Sequence, residues 1–436
     1  MYIKKLELHN YRIFENLELD FNNKCSVIVG INGSGKTTIL EATSVAIGTI
    51  FLSLNGVNRY GLKKSDAHRK RFSVGSNIDV EAQYPISILA SGSINDKDVT
   101  WERTLNSEKG STTITGAKEL TNISDNYQKQ LQNGDTSLIL PIIAYYGTGR
   151  LWDYHKEKSN NAFLTNTRTN GYINCLDGTA NIKLMMNWFK KMTIQKYQRQ
   201  EKGFDDLPEL DTVYHAMEDC LASFTGYKNI KINYSLDINE LEVSYEDNNN
   251  QCVHLPLSLF SDGFKEIISI VADIAYRMAV LNPQLLDEVL TKTDGVVLID
   301  EIDLHLHPAW QQCILEELTK VFPRVQFIVT SHAPAVINSV KEESLIILKD
   351  MAPISPSSQT YGKDVNSVLR EIMETNERPK KIVDLFNQFY KRLENRDFDG
   401  AEEILNILDE LRSFHDPEIA SCRTKLRLER IRGGKK

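Results

Sequence analysis

The chain has 436 residues, 41% hydrophobic and 25% charged, a composition that suits a globular protein with room for several domains. No apolar run approaches the ~18 residues that cross a bilayer, and the alternating N-terminus MYIKKLELHNYRIF lacks the apolar block of a secretory signal, so a cytoplasmic location is expected. The net charge of -8 does not advertise nucleic-acid binding, although a local basic patch still binds phosphates, and six scattered cysteines without a C-x-x-C pair argue against a zinc ribbon and are expected to be buried thiols.

In chain order, Tyr2–Leu8 and Leu17–Phe21 read as paired strands and Cys25–Val29 as a buried strand running into a glycine loop. Lys36–Phe51 has the length and apolar spacing of a helix. Short alternating strands follow between Asp79 and Arg103, and the polar stretch Ser107–Asn133 reads as loop. Ser137–Tyr146 is an apolar strand. The next stretch holds helices near Ala180–Lys202 and Glu209–Phe224, then strands at Ile230–Tyr234 and Glu240–Tyr245. Phe260–Met278 is a helix, Gly295–Ile299 a buried strand, Pro308–Thr319 a helix and Gln326–Thr330 another buried strand. From Met351 a Pro/Ser-rich linker leads to a charged helical tail. Strands alternating with helices around a glycine loop predict an α/β fold with a largely parallel sheet.

Gly30-Ile31-Asn32-Gly33-Ser34-Gly35-Lys36-Thr37 matches the phosphate-binding loop, in which small residues let backbone N–H groups curl around phosphate oxygens. Lys36 adds positive charge at the β- and γ-phosphates, Thr37 offers a hydroxyl to Mg²⁺, and the helix start adds its dipole. Asn32, Gly33, Ser34, Gly35, Lys36, Thr37 and Thr38 are therefore the expected ATP contacts. The buried strand before Asp300 and Glu301 ends where α/β sheets place their ligands. Asp300 suits the Mg²⁺ shell, and Glu301 suits a general base aimed at the γ-phosphate. His332, after another buried strand, is the expected γ-phosphate sensor. Arg12 is a candidate contact for the adenine or nucleotide backbone.

Leu259-Phe260-Ser261-Asp262-Gly263-Phe264-Lys265 opens a helix before the acidic strand, and Ser261 taken alone reads as an N-cap. The order glycine loop, Ser-x-Gly helix start, Asp-Glu and His resembles the ABC-type ATPases, including their SMC and RecF relatives. That resemblance implies that Ser261, Gly263 and Lys265 act in trans on ATP held by a second subunit, and that Asp303, His305 and His307 belong to a loop crossing the dimer interface. Taken by themselves, His305 and His307 turn the same way and invite a metal reading. The glutamine usual after the strand ending at Tyr146 is not evident; Gln83 is an alternative, but it looks structural. The insertion after Arg150 is too short for a long coiled-coil arm and suggests a compact helical lobe.

The segments YYGTGRLW, LPLSLFSDGFKEIISIVADIAYRMAVLNP, VVLIDEIDLHLHPAWQQ and FIVTSHAPAVI together resemble the AAA-like ABC ATPases of bacterial anti-phage defence, most of all the PtuA ATPases of Septu and retron-associated systems. The tail segments YGKDVNSVLREIM and RDFDGAEEILNILDEL look similar to that family too. The resemblance implies an ABC-type P-loop ATPase head with a mixed, largely parallel sheet, an antiparallel β subdomain, a compact helical insertion and a helical C-terminal tail. Its expected divisions are 1–150, 151–250, 251–350 and 351–436. It also implies ATP and Mg²⁺, self-assembly into a dimer or higher oligomer, and control of a small HNH nuclease (PtuB) that cuts DNA. DNA or other nucleic acid, including retron RNA or DNA, is an implied partner, and a membrane is not. A RecF-like repair ATPase is the alternative; a transporter subunit is disfavoured by the missing glutamine.

Lys63, Lys64, His68, Arg69, Lys70 and Arg71 form a basic cluster, and Arg423, Lys425, Arg427, Arg430, Arg432, Lys435 and Lys436 another. Each reads either as a solvated face or as a contact to phosphate backbones. In the tail, Ile404, Leu405, Ile407, Leu408 and Leu411 form a helix face that either packs on its own core or docks a partner.

Overall fold

The computed structural model describes residues 1–75, 77–149, 167–178, 182–204, 207–247, 250–354, 359–376, 378–411 and 416–433. They form two compact units, Met1–Lys363 and Asp364–Lys436.

The first unit is built on a sheet of strands β3 (Cys25–Gly30), β8 (Ile142–Tyr146), β12 (Gly295–Ile299), β13 (Val325–Ser331), β14 (Leu345–Lys349) and β15 (Ala352–Ile354). Their order is β15-β14-β3-β13-β12-β8, parallel except for β15. Both faces are covered, so β3, β12 and β13 are near-continuous runs of Val, Ile, Leu and Phe rather than alternating strands. The phosphate loop, Asp300 and His332 all follow the carboxyl ends of neighbouring strands, which places them together.

A second, antiparallel sheet has the order β2-β1-β6-β7, from β1 (Tyr2–Tyr11), β2 (Phe14–Asp20), β6 (Ile86–Ile94) and β7 (Lys97–Leu105). Helix α1 (Lys36–Ile47) lies between the two sheets and contacts both. Fully buried Trp101 of β7 donates its indole N–H to the Ala46 carbonyl at 2.9 Å. The Gln326 side chain of β13 exchanges hydrogen bonds with the Ile3 backbone, at 2.7 and 2.8 Å, and so stitches sheet to sheet. Strands β4 (Arg69–Val74) and β5 (Asn77–Ala82) form a separate exposed hairpin.

The polar stretch read as loop contains helix α2 (Lys118–Gln132). Only Leu120, Ser124 and Tyr127 are buried, too narrow a stripe to stand out among Lys, Asn and Gln. The first helix stops at Ile47, before Gly48, and continues as a 3-10 turn, Gly48–Ser53. The apolar run before Tyr146 is a strand only from Ile142, because Pro141 has no N–H; the Leu140 backbone is held instead by the Asn282 side chain at 2.8 and 2.9 Å. The helix expected over Pro308–Thr319 is a turn, Pro308–Gln311, followed by helix Ile314–Val321. Four cysteines are buried, whereas Cys252 is exposed and Cys313 half-buried.

In the region read as a compact helical insertion, helices Ile182–Glu201 and Pro208–Thr225 pack with an antiparallel sheet of β9 (Lys228–Ser235), β10 (Glu240–Glu246) and β11 (Cys252–Pro256), so the lobe is mixed rather than helical. It packs against the buried helix Asp262–Leu281. The Arg150-Leu151-Trp152 part of the aromatic-glycine motif lies outside the described residues. In the second unit, Lys380–Glu394, Phe398–Leu411 and Pro417–Gly433 enclose Phe386, Phe389, Ala401, Ile404, Leu405, Leu408, Ile419, Cys422 and Leu426. Three of the five apolar tail residues therefore pack on this core, and Ile407 and Leu411 are exposed. Among the described residues no helix is long and apolar enough to cross a membrane.

Candidate functional site

The glycine loop closes between β3 and α1 with Gly35 at φ 99, a left-handed conformation that glycine adopts without penalty. A Cβ there would lie 2.4 Å from the Phe14 ring, so both conformation and space demand glycine. The Lys36 ammonium donates to the carbonyls of Gly30 and Ile31, each at 3.0 Å. Burial lowers its pKa, against the raising influence of Asp300, Glu301 and Asp303. In the same loop the Ser34 hydroxyl oxygen is buried with no hydrogen-bond partner among the described residues. A cavity of ≈ 420 Å³ is lined by Asn32, Gly33, Gly35, Lys36, Thr37, Thr38, Asp300, Glu301, His332 and, unforeseen from sequence, Ile13. Every catalytic and phosphate-loop candidate except Ser34 thus borders one space.

Asp300 is the hub. Its Oδ2 accepts from the Thr37 hydroxyl at 2.8 Å and its Oδ1 from the Thr330 hydroxyl at 2.6 Å. Its backbone N–H donates to the Tyr146 carbonyl at 2.7 Å, which fixes it to the neighbouring strand. Thr330 also accepts the Glu301 N–H at 2.7 Å. Sequence reasoning passed over Thr330, whose signal was a hydroxyl in a strand otherwise built of apolar residues. Glu301 has φ 48, so the chain turns sharply as it leaves β12.

That turn brings Asp303 under the end of β13, where its Oδ1 accepts from the Ser331 hydroxyl at 2.7 Å and the His332 N–H at 3.3 Å. The His332 imidazole is held below its ordinary pKa, first by burial and then by Lys36, so it is neutral at pH 7. His307 accepts the Ala309 N–H on Nδ1 at 3.2 Å and caps the turn that follows. Among the described residues, no three His, Cys, Asp or Glu side chains group as a metal site.

Helix Asp262–Leu281 begins with Ser261 at the N-cap, yet the Ser261 side chain makes no capping hydrogen bond and is exposed. Lys265 pairs with Asp262 at 2.8 Å. Gly263 is buried against the backbone of His305. Beside the two motifs stand two of the most exposed large apolar residues, Ile31 of the glycine loop at 67% and Leu259 at 68%. Neither Ser261 nor Gly263 lines the nucleotide cavity.

Arg12 is held on both sides, by Asp66 at 3.0 Å and by Glu41, and it is Ile13 that reaches the cavity wall. In the basic cluster, Lys63, Lys64, Arg69 and Arg71 are exposed, and Lys70 is paired with Glu15. Gln83 donates to the Glu81 carbonyl at 3.1 Å, next to the hairpin.

Comparison with known proteins agrees with this geometry. The chain is 28% identical over 423 residues to the probable ATPase of retron Vc95 from Vibrio cholerae serotype O1 biovar El Tor, covering 86% of this chain and 80% of that protein. It is 24% identical over 434 residues to the Septu protein PtuA of Bacillus thuringiensis, covering 93% of each. To the DNA replication and repair protein RecF of Bacillus subtilis (strain 168) it is 51% identical, but over 45 residues, 10% of this chain and 12% of RecF. Residues 5–252 match the AAA domain family. That match spans over half of the chain, and together with the phosphate loop, the acidic strand end and the motif order it makes this protein an ABC-type ATPase belonging to the AAA domain family.

Proposed function

We propose that the chain is the ATP-hydrolysing subunit of a bacterial anti-phage defence complex, assembling as a dimer or higher homo-oligomer and controlling an HNH nuclease of the PtuB kind that acts on DNA. The retron and Septu relatives, matched over most of their length, support the defence setting. The RecF likeness covers a tenth of the chain, which favours a shared nucleotide site over a shared role in repair.

The observation that carries the oligomeric reading is the exposed Ser261 hydroxyl, which makes no capping hydrogen bond to its own helix and is flanked by Leu259, with Ile31 equally exposed on the glycine loop. Covering these two apolar side chains in an interface contributes about 1.5–3 kcal/mol each. In the proposed assembly, Ser261, Gly263 and Lys265 of a second copy face ATP held by Lys36 and the loop amides. Asp303, His305 and His307 line the interface between copies.

Within one subunit, the hydroxyl of Thr37 and the carboxylate of Asp300 are hard oxygen donors 2.8 Å apart beside the phosphate loop, a set that fits Mg²⁺. When bound, Mg²⁺ supplies charge neutralisation at the β- and γ-phosphates. Glu301 takes the proton of the attacking water, and neutral His332 marks the γ-phosphate. Lys63, Lys64, Arg69 and Arg71 are the proposed DNA contacts, with Lys70 engaged by Glu15.

The test is complementation between two inactive variants. Lys36→Ala and Ser261→Arg subunits, mixed in equal amounts, form heterodimers with one intact composite site. Turnover should recover to about a quarter of wild type, because half of a random mixture is heterodimer with one working site of two. Cross-linked heterodimers without recovered turnover would sink the trans-site reading. Failure of a co-expressed small HNH protein to purify with the tagged chain would count against the nuclease partner.

A further inference from the structure

We infer that Tyr146, Asp273 and Arg277 form a buried positioning device that ties the helix bearing Ser261 and Gly263 to Asp300 of the same chain. The tie is continuous. The Tyr146 carbonyl accepts the Asp300 N–H at 2.7 Å, and the Tyr146 hydroxyl donates to Asp273 Oδ2 at 2.7 Å. Arg277 Nε donates to the same Oδ2 at 2.6 Å, and its Nη1 donates to the carbonyls of Gly171 and Ile173 at 2.8 and 3.0 Å. A single tyrosine therefore joins the helix Asp262–Leu281 to the residue that also holds Thr37.

All three side chains are almost fully buried. Burial, followed by the Asp273 carboxylate, raises the Tyr146 pKa well above its ordinary value, so the hydroxyl stays a donor. A buried ion pair is poor evidence of a stabilising role, because apolar side chains of similar volume often serve as well or better. What such a pair supplies is direction. Asp273 and Arg277, one helical turn apart, fix the rotation of the helix against β8, and Asp273 stands roughly 18 Å along the helix from Ser261. A small tilt at the tie becomes a larger displacement at Ser261. The device is also incompletely satisfied: Asp273 Oδ1 is buried with no hydrogen-bond partner among the described residues.

The site of the tie stands independently of the assembly reading, whereas its consequence, that the state of one nucleotide site sets the presentation of Ser261 to a second copy, rests on it. Two alterations test it. Tyr146→Phe removes one hydroxyl and keeps the ring. The double variant Asp273→Leu/Arg277→Met replaces the pair with apolar groups of similar bulk. Three measurements are made on the full chain: affinity for a fluorescent ATP analogue, thermal midpoint, and kcat with KM. A fourth is amide hydrogen exchange of helix Asp262–Leu281 before and after a non-hydrolysable ATP analogue with Mg²⁺.

The expected result is nucleotide affinity within about twofold and a midpoint within a few degrees of wild type, with kcat lower by about tenfold. The exchange response of the helix is lost together with turnover. A folded variant that keeps either wild-type turnover or the wild-type exchange response overturns the inference. If the double variant does not fold, Tyr146→Phe decides alone. Ser261→Arg separates the two readings: it removes the trans contact and keeps the tie, so the exchange response around Asp273–Arg277 persists there even if the composite site is wrong.

Discussion

Gly263 is seated directly on the carbonyl of His305: a Cβ at residue 263 would lie 2.5 Å from that oxygen. The start of the Ser261 helix and the loop that follows Glu301 are therefore one packed body within a single chain. His305 has φ 61, so the loop itself is bent to make the approach. The residue proposed to reach another subunit's ATP thus opens a helix that rests on the loop proposed to line the interface.

Gly263→Ala places a methyl group into that contact, and the loop must move by more than side-chain relaxation permits. Overpacking of this kind costs about 1–3 kcal/mol. The expected outcome is a lower thermal midpoint together with at least a tenfold lower kcat, read by calorimetry and steady-state ATPase assay. An alanine variant with wild-type midpoint and turnover would show that the contact is not needed.

Thr330 supports both acidic residues through one hydroxyl. Thr330→Val keeps the shape but strips a donor from Asp300 and an acceptor from the Glu301 N–H, at a cost of about 1–3 kcal/mol for the groups left unpaired in the interior. Thr330→Ser retains the hydroxyl and is expected to keep most of the stability and turnover. Equal behaviour of the valine and serine variants in urea unfolding would contradict this role.

Glu301→Gln preserves size and backbone and removes the proposed base. ATP affinity is expected to stay within about twofold while kcat falls by ~10²-fold or more. Equilibrium nucleotide binding and single-turnover hydrolysis check the two halves of this expectation separately.

His332 carries a pH signature. Its folded pKa lies below the ordinary value of 6.5, through burial first and Lys36 second. The unfolded chain therefore takes up the proton first on acidification, so stability declines as pH drops from the unfolded value towards the folded one and is unaffected above it. His332→Gln should flatten this contribution. The difference is read as thermal midpoints from about pH 7.5 to about pH 5.5, where wild type should lose more than the variant.

The glycine loop, Asp300-Glu301 and His332 were legible because each follows a short apolar run that only a buried strand explains. The contacts that set their geometry were not. Thr330 looks like any β-branched strand residue until its neighbours are known. Tyr146 and Asp273 are 127 residues apart, a separation no local pattern spans. Helix Lys118–Gln132 was hidden for the opposite reason, since its burial rests on three residues and its remaining surface is polar enough to pass for loop. The N-cap reading of Ser261 was sound in backbone terms, but its hydroxyl is not used to cap.

The left-handed backbone at Glu301 sets stability against the chemistry proposed for this residue. A non-glycine residue in that conformation costs about 1–2 kcal/mol, and here it is held by the Thr330 hydroxyl and by the Leu304 N–H on the Glu301 carbonyl at 3.0 Å. Folding alone would favour glycine or asparagine at 301, so the carboxylate proposed to act as base sits on a backbone that is not the most stable one for this position. Glu301→Gly and Glu301→Asn are therefore expected to raise the thermal midpoint even as they remove the proposed base.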